Sequence, residues 1–339
     1  MAVQPGIITG VAFVGCQKAD GSYLLKGSVF FVGLEEVAGD PTKVRDIVWV
    51  TARHVVDGVR KLGCTEVCVR INTKSGGARW HHTPLNAWFS IDDVTSDVAV
   101  YAAGLPSDAD HTAFTADLIL TPETQAGFSF GISDEVVVVG LFQHRAGNRK
   151  NVPIVRMGNV ASLDEDEHVT TKFGEMPAYL IECRSIGGLS GSPVFVSVGL
   201  ERSLTGKAPG KHGIYMIGLI HGHYDVKDTN IDELDAFDAA DGLRPNQVNT
   251  GIAIVTPARR LLETIEASKA ARPKSLFPNI VIENGTPGAG SSFYSVQSNF
   301  VTLEGPQASA HGGDIVVERV GKPTTTQDDT TTLSQPKKD

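Results

Sequence analysis

The chain has 339 residues, 41% of them hydrophobic, enough for a substantial core in one large or two medium domains. Its formal net charge of -9 argues against nucleic acid as a partner, because phosphate binding needs a basic face. No apolar stretch reaches the length of a membrane span, and four cysteines (Cys16, Cys64, Cys68, Cys183) are too few for a disulfide framework, so reduced, buried thiols are expected.

In chain order, the first apolar stretch is "IITGVAFVGC". It lacks the basic residues that open a signal peptide, and it continues through the turn "KADGS" into "YLLKGSVFFV" as a hairpin. It reads as structure, and a cytoplasmic location is expected. "DIVWVTA" is β-branched and aromatic and delivers His54 to a strand end. "VCVRIN", "DVAVYAA", "EVVVVGLF", "AYLIEC", "SPVFVSV" and "IYMIGLI" follow as further strands, punctuated by Gly, Pro, Asp and Asn. Such spacing with almost no helical periodicity predicts an all-β barrel or sandwich.

One helix stands out, "TPARRLLETIEASKAA", with Thr256 as N-cap, Pro257 at its first position and an apolar stripe at Leu261, Leu262 and Ile265. Beyond it the character changes. The chain divides into a β domain over residues 1–270 and a Pro/Gly/Thr-rich tail over 271–339. The last stretch, "GKPTTTQDDTTTLSQPKKD", cannot bury enough apolar surface to offset its ordering entropy and is expected to be disordered. "IVIEN" and "DIVVERV" are open as isolated strands or docking segments.

Three residues carry the chemistry. His54 follows an apolar strand, Asp97 opens "DVAVYAA", and Ser190 sits in the glycine-dense turn "SIGGLSGSP". A nucleophilic serine needs such a turn, with nearby backbone amides aimed at the oxyanion, and Gly188 and Ser190 are placed to supply them. The alternative for each piece is an ordinary strand-end histidine, strand-start aspartate or Gly/Ser turn. The order His, Asp, Ser is that of the chymotrypsin-type triad, and Ser192 departs from the G-x-S-x-G elbow of the α/β-hydrolases.

The chain resembles the trypsin-like (chymotrypsin-fold) serine peptidases, particularly their bacterial, HtrA-like branch without a PDZ domain. "KGSVFFV" resembles the strand before the histidine, "TARHVVDG" its T-x-x-H-V-V-x-G block, "SDVAVY" its D-[IV]-A-[VL] block and "GGLSGSPVF" its G-[ND]-S-G-G-P block. "EVVVVGLFQ…VRMGNVASL", "IYMIGLIHG" and "NTGIAIVTPARRLLETI" resemble the later strands and closing helix, over roughly residues 7–268. The resemblance implies a chymotrypsin-like double β-barrel with a C-terminal helix and a largely irregular tail. It also implies a serine endopeptidase without cofactor or metal, acting on protein or peptide. Ser190 would attack the scissile carbonyl, His54 would act as base and then acid, Asp97 would orient the imidazole, and the Gly188 and Ser190 amides would form the oxyanion hole. The alternative is a protease-fold binding or regulatory module with a silent or latent triad.

Departures from the family fall around the serine: Leu189 stands where secreted relatives have Asp, Ser192 replaces a glycine, and Ile186 occupies a cysteine position. For substrate, Arg184 is either the floor of the specificity pocket or a solvated charge. Ile220 and His221 align with the strand that lines that pocket, and "HGH" (His221 to His223) gives no complete zinc set. The acidic stretch 224–242 is a lid, a site for a regulatory partner or a solvated insertion. Its Asp228, Asn230 and Asp232 fail as a calcium loop at Glu233 and Ala239. The C-terminal tail is the other candidate surface for a regulatory partner. The basic "HRAGNRKN" at 144–151 is expected to be a solvated hairpin tip.

Overall fold

The computed structural model describes residues 5–37, 40–128, 130–164, 167–171, 173–185, 187–199, 212–227, 247–271, 282–283 and 293–295. The acidic stretch between 227 and 247 and the unit spanning 301–339 lie outside the described residues.

After a helical turn, α1 (Pro5–Thr9), come β1 (Val11–Gln17), β2 (Tyr23–Val37) and β3 (Asp40–Thr51), then a short helix, α2 (Arg53–Lys61). β4 (Glu66–Asn72), β5 (Ala78–Pro84), β6 (Ala99–Ala102) and β7 (Thr112–Thr115) complete the first half. β1 and β2 form the expected hairpin, Phe13 opposite Ser28 and Gln17 opposite Tyr23. The sheet runs β3-β2-β1-β4-β5 and curls on itself, because β6 pairs with β3 and β7 joins β2 in parallel. Phe13, Phe30, Phe31, Ile71 and Phe114 fill it, each fully buried. A second helical turn, α3 (Pro122–Ala126), lies in the connection to the second half.

The second half is a closed six-stranded barrel. It is built from β8 (Glu135–Leu141) and β9 (Pro153–Ser162), followed by a small hairpin of β10 (Val169–Thr171) and β11 (Gly174–Met176) standing outside the barrel. β12 (Tyr179–Glu182), β13 (Pro193–Ser197), β14 (Ile214–Lys227) and β15 (Gln247–Pro257) close it in the order β12-β15-β14-β13-β8-β9. The run Val136 to Val139 is buried on every residue, which explains why the sequence there does not alternate. The fold is thus all-β, a closed barrel joined to a curled sheet, with a helix, α4 (Ala258–Ala271), behind them. Among the described residues, no helix is long and apolar enough to cross a membrane.

The two halves meet through rings and amides. Phe114 sits edge-on to Phe195 at 5.2 Å, carrying the first core into the second. Buried Asn151 donates its backbone N–H to Asn72 Oδ1 (2.8 Å) and its amide to the Arg70 carbonyl (2.6 Å). The stretch 144–151 joins the antiparallel strands β8 and β9 with His144, Arg145, Asn148, Arg149 and Lys150 exposed, a solvated tip as expected, anchored to the first half through Asn151. Arg70 Nη1 also donates to the Ala146 carbonyl at 3.0 Å. Side chains of β4, Arg70 and Asn72, thus satisfy backbone groups of that connection.

Two helix expectations shift. α4 starts at Ala258, with Thr256 and Pro257 still in β15, and the buried Thr256 hydroxyl caps nothing among the described residues. α2 has no counterpart in the strand-dominated reading; its Val55, Val56 and Val59 form a buried face that compensates for poor helix formers. Past α4, β16 (Ile282–Glu283) pairs with β3 and β17 (Phe293–Ser295) with β7, so parts of the segment after 271 return to the first half.

Candidate active site

His54 lies in the first turn of α2, where backbone amides lack intrahelical acceptors. Asp97, buried just before β6, supplies one: its Oδ1 accepts the His54 backbone N–H at 2.8 Å. Its Oδ2 lies 2.7 Å from His54 Nδ1. One carboxylate thus caps the helix and orients the ring that the helix carries. The loop before Asp97 is pinned from both sides. Arg53 Nη1 donates to the Ile91 and Asp93 carbonyls (3.0 and 3.1 Å), and Arg260 Nη2 of α4 donates to Thr95 Oγ1 (3.1 Å).

A second imidazole reaches the same oxygen. His221 Nδ1, on β14, lies 2.5 Å from Asp97 Oδ2, and His221 is only 3% exposed. Burial alone pushes the Asp97 carboxyl up, but the charge of His54, hydrogen bonds from His221 and His54, and the charge of His221 together hold it below the ordinary carboxylate range. Asp97 is therefore ionised throughout the neutral range.

Ser190 stands in the turn that crosses from β12 to β13. Gly188 has φ +99° and Gly191 φ +84°, conformations that side chains other than glycine's rarely accept. The turn is locked to both halves: Ser28 donates its backbone N–H to the Ser190 carbonyl and its hydroxyl to the Gly188 carbonyl, each at 2.8 Å. A Cβ on Gly27 would sit 2.7 Å from the Ser190 carbonyl oxygen, so the close approach needs glycine there too. Among the described residues, neither the Gly188 nor the Ser190 amide has a backbone acceptor.

The Ser190 hydroxyl donates to the His221 carbonyl at 3.4 Å and makes no hydrogen bond with the His54 ring. At that length the contact is weak and cheaply exchanged. Ile220, offered by sequence as a pocket residue, is 1% exposed; its backbone ties the serine turn, accepting from Gly191 N and donating to the Ser192 carbonyl, both at 2.8 Å. Arg184 is exposed, just past β12.

Two features had no signal in the sequence. Phe173, between β10 and β11 in a polar stretch, stacks on His54 with centroids 4.9 Å apart and meets His221 edge-on at 5.5 Å. With Val94, Met176 and Thr171 it lines a cavity of about 180 Å³ that opens on His54 and Asp97. The other is Ser28, whose residue type and position within a strand gave no hint of its bridging role.

His54, Asp97 and His221 place ligand-type atoms within 4.8 Å of one another. Two ligands of one tetrahedral zinc at about 2.0–2.1 Å sit roughly 3.3 Å apart. The separations of 2.5 and 2.7 Å fit protons shared between nitrogen and oxygen instead. Three of the four cysteines are poor nucleophiles: burial pushes the thiols of Cys16 and Cys68 up to about 11, and that of Cys183 up as well.

No family model matches the chain, and no curated protein matches it. Among solved structures, the crystal structure of Deg5 aligns over 77% of this chain and 89% of that one, at 12% identity and a TM-score of 0.42.

Proposed function

We propose that the chain is a serine endopeptidase acting through Ser190, His54 and Asp97. The observation that carries this reading is the Asp97–His54 pair. A buried, ionised carboxylate lies 2.7 Å from Nδ1, which keeps the proton on Nδ1 and leaves Nε2 as the basic nitrogen. The ordered His, Asp and Ser blocks of the sequence support it, as does a serine turn held by two left-handed glycines.

In this mechanism the Ser190 hydroxyl leaves the His221 carbonyl, gives its proton to His54 Nε2 and attacks the substrate carbonyl carbon. Negative charge moves to the carbonyl oxygen, which the Gly188 and Ser190 amides receive. His54 then protonates the leaving amine, and the acyl-enzyme is hydrolysed by water activated at the same nitrogen. Throughout, Asp97 stays ionised and steadies the imidazolium. A substrate side chain seated beside His54 would meet the exposed apolar groups of Val94 and Phe173 together with the charged Arg53 and Asp57. Arg184, exposed just past β12, and Arg53, which lines the cavity beside His54, are the two candidate cations for an acidic side chain.

Digestion of an unfolded protein substrate, with the new termini read by mass spectrometry, tests the reading. Cleavage by the native chain that vanishes in Ser190→Ala is expected. Identical cleavage in both, or none in either, would move the assignment to the second reading, a binding module with this fold. That reading is favoured by the Ser190 hydroxyl being bonded to a carbonyl rather than to His54.

A further inference from the structure

His221 touches both ends of the assembly. Its Nδ1 lies 2.5 Å from Asp97 Oδ2, and its backbone carbonyl accepts the Ser190 hydroxyl at 3.4 Å. It is 3% exposed, and its Nε2 is buried with no hydrogen-bond partner among the described residues. An imidazole with one nitrogen against an ionised carboxylate and the other in a dry, unpartnered place has its proton fixed on the carboxylate side. The Asp97 carboxylate then receives three donors: the His54 backbone N–H on Oδ1, and the His54 and His221 Nδ1–H groups on Oδ2. A carboxylate so bound has no rotational freedom left, which is what a base held by a single hydrogen bond needs from its partner.

We propose that His221 is a positioning residue for the reaction, the second arm of a His54–Asp97–His221 clamp that holds the carboxylate against the base. This rests on the peptidase reading of the same site. His221 also borders the cavity beside His54, but its role in the clamp is through Asp97, on the orientation and tautomer of His54. The two imidazoles lie with centroids 5.2 Å apart at 67°, so their N–H bonds converge on one oxygen from different directions. Phe173 contacts both rings, stacked on His54 and edge-on to His221, and so limits how far either imidazole can turn.

Two measurements test the clamp. The first is low-field proton NMR of the full chain with ¹⁵N-labelled histidine. The native protein should show two strongly deshielded Nδ1–H signals, one of which disappears in His221→Leu. The second is the rate of covalent labelling at Ser190 by a fluorophosphonate, together with kcat and KM on a peptide. His221→Leu should slow acylation about 10- to 100-fold with KM within about twofold, while His221→Asn, whose Nδ2–H stands where Nδ1–H stood, should recover most of the rate.

A single low-field signal in the native protein would overturn the proposal. So would an unchanged acylation rate in His221→Leu, or an Asn variant no better than Leu. If the Leu variant does not fold, the native spectrum and the Asn variant still decide. Two low-field signals in a protein that never labels would remove the peptidase reading and leave the clamp as a structural element only; one signal in an active enzyme would remove the clamp alone.

Discussion

Asp97 holds His54 at two points, the backbone amide through Oδ1 at 2.8 Å and the ring through Oδ2 at 2.7 Å. The helix that carries His54 and the carboxylate that orients its ring are therefore one mechanical unit, although the residues are 43 positions apart in the chain. Geometry of this kind lets a two-turn helix with a glycine and three β-branched residues hold the His54 ring in one orientation.

Asp97→Asn separates the two contacts. An amide can still accept the backbone N–H, but its own N–H group facing His54 Nδ1 favours the wrong tautomer. Activity should fall by about 10³- to 10⁴-fold, measured as kcat on a peptide substrate, and stability by about 1–3 kcal/mol in urea titration, because the buried His221 N–H also loses its acceptor. A variant that keeps a tenth or more of the native rate would contradict this role.

The serine turn makes a steric prediction. A Cβ on Gly191 would collide with the Ser28 carbonyl oxygen and sit 2.5 Å from Thr51 Oγ1, at a φ of +84°. Gly191→Ala should cost about 3 kcal/mol or more, read from the midpoint of chemical denaturation. Gly58→Ala, where a Cβ meets nothing within 4 Å, is the control and should leave stability unchanged or raise it by up to about 1 kcal/mol.

How far these features were legible in the sequence varies with their range. The strands holding both cores, "SVFFV" and "EVVVVGLF" among them, are long apolar runs whose burial follows from composition, and the structure has them as β2 and β8. α2 was not legible, because "HVVDGVRK" has strand-like residues and owes its helix to packing of Val55, Val56 and Val59. His221 stood out as part of "HGH", but its bond to a carboxylate 124 residues away has no local signature. Phe173 lies in a polar run whose hairpin could be placed over His54 only by the barrel beneath it.

Phe173 gives a third prediction. Stacking on His54 at 4.9 Å contributes about 0.5–1.5 kcal/mol to holding the ring. Phe173→Ala should lower the acylation rate about 2- to 10-fold, and Phe173→Tyr should restore it. Since Phe173 is 46% exposed, the melting temperature should barely move in either variant.

His111 should make the protein acid-sensitive. Burial lowers its pKa from 6.5 to about 4, and its two nitrogens are committed, Nε2 accepting from Asn72 N–H and Nδ1 against the Thr9 carbonyl, both at 2.8 Å. Between those values the unfolded chain binds a proton that the folded chain refuses. His111 therefore does not penalise folding above about pH 6.5, and stability is lost as pH falls towards 4, with a slope approaching about 1.4 kcal/mol per pH unit. Urea midpoints at pH 7, 6 and 5 measure it; a His111→Gln variant should show a shallower slope, and an equal slope would assign the effect elsewhere.

Covalent labelling with a fluorophosphonate probe tests the central claim most directly, comparing the native chain with Ser190→Ala and His54→Ala and locating the adduct by mass spectrometry. The account predicts one adduct, on Ser190, absent from the first variant and slowed at least about 10³-fold in the second. No adduct in the native protein, or one on another serine that persists when Ser190 is replaced, would contradict it.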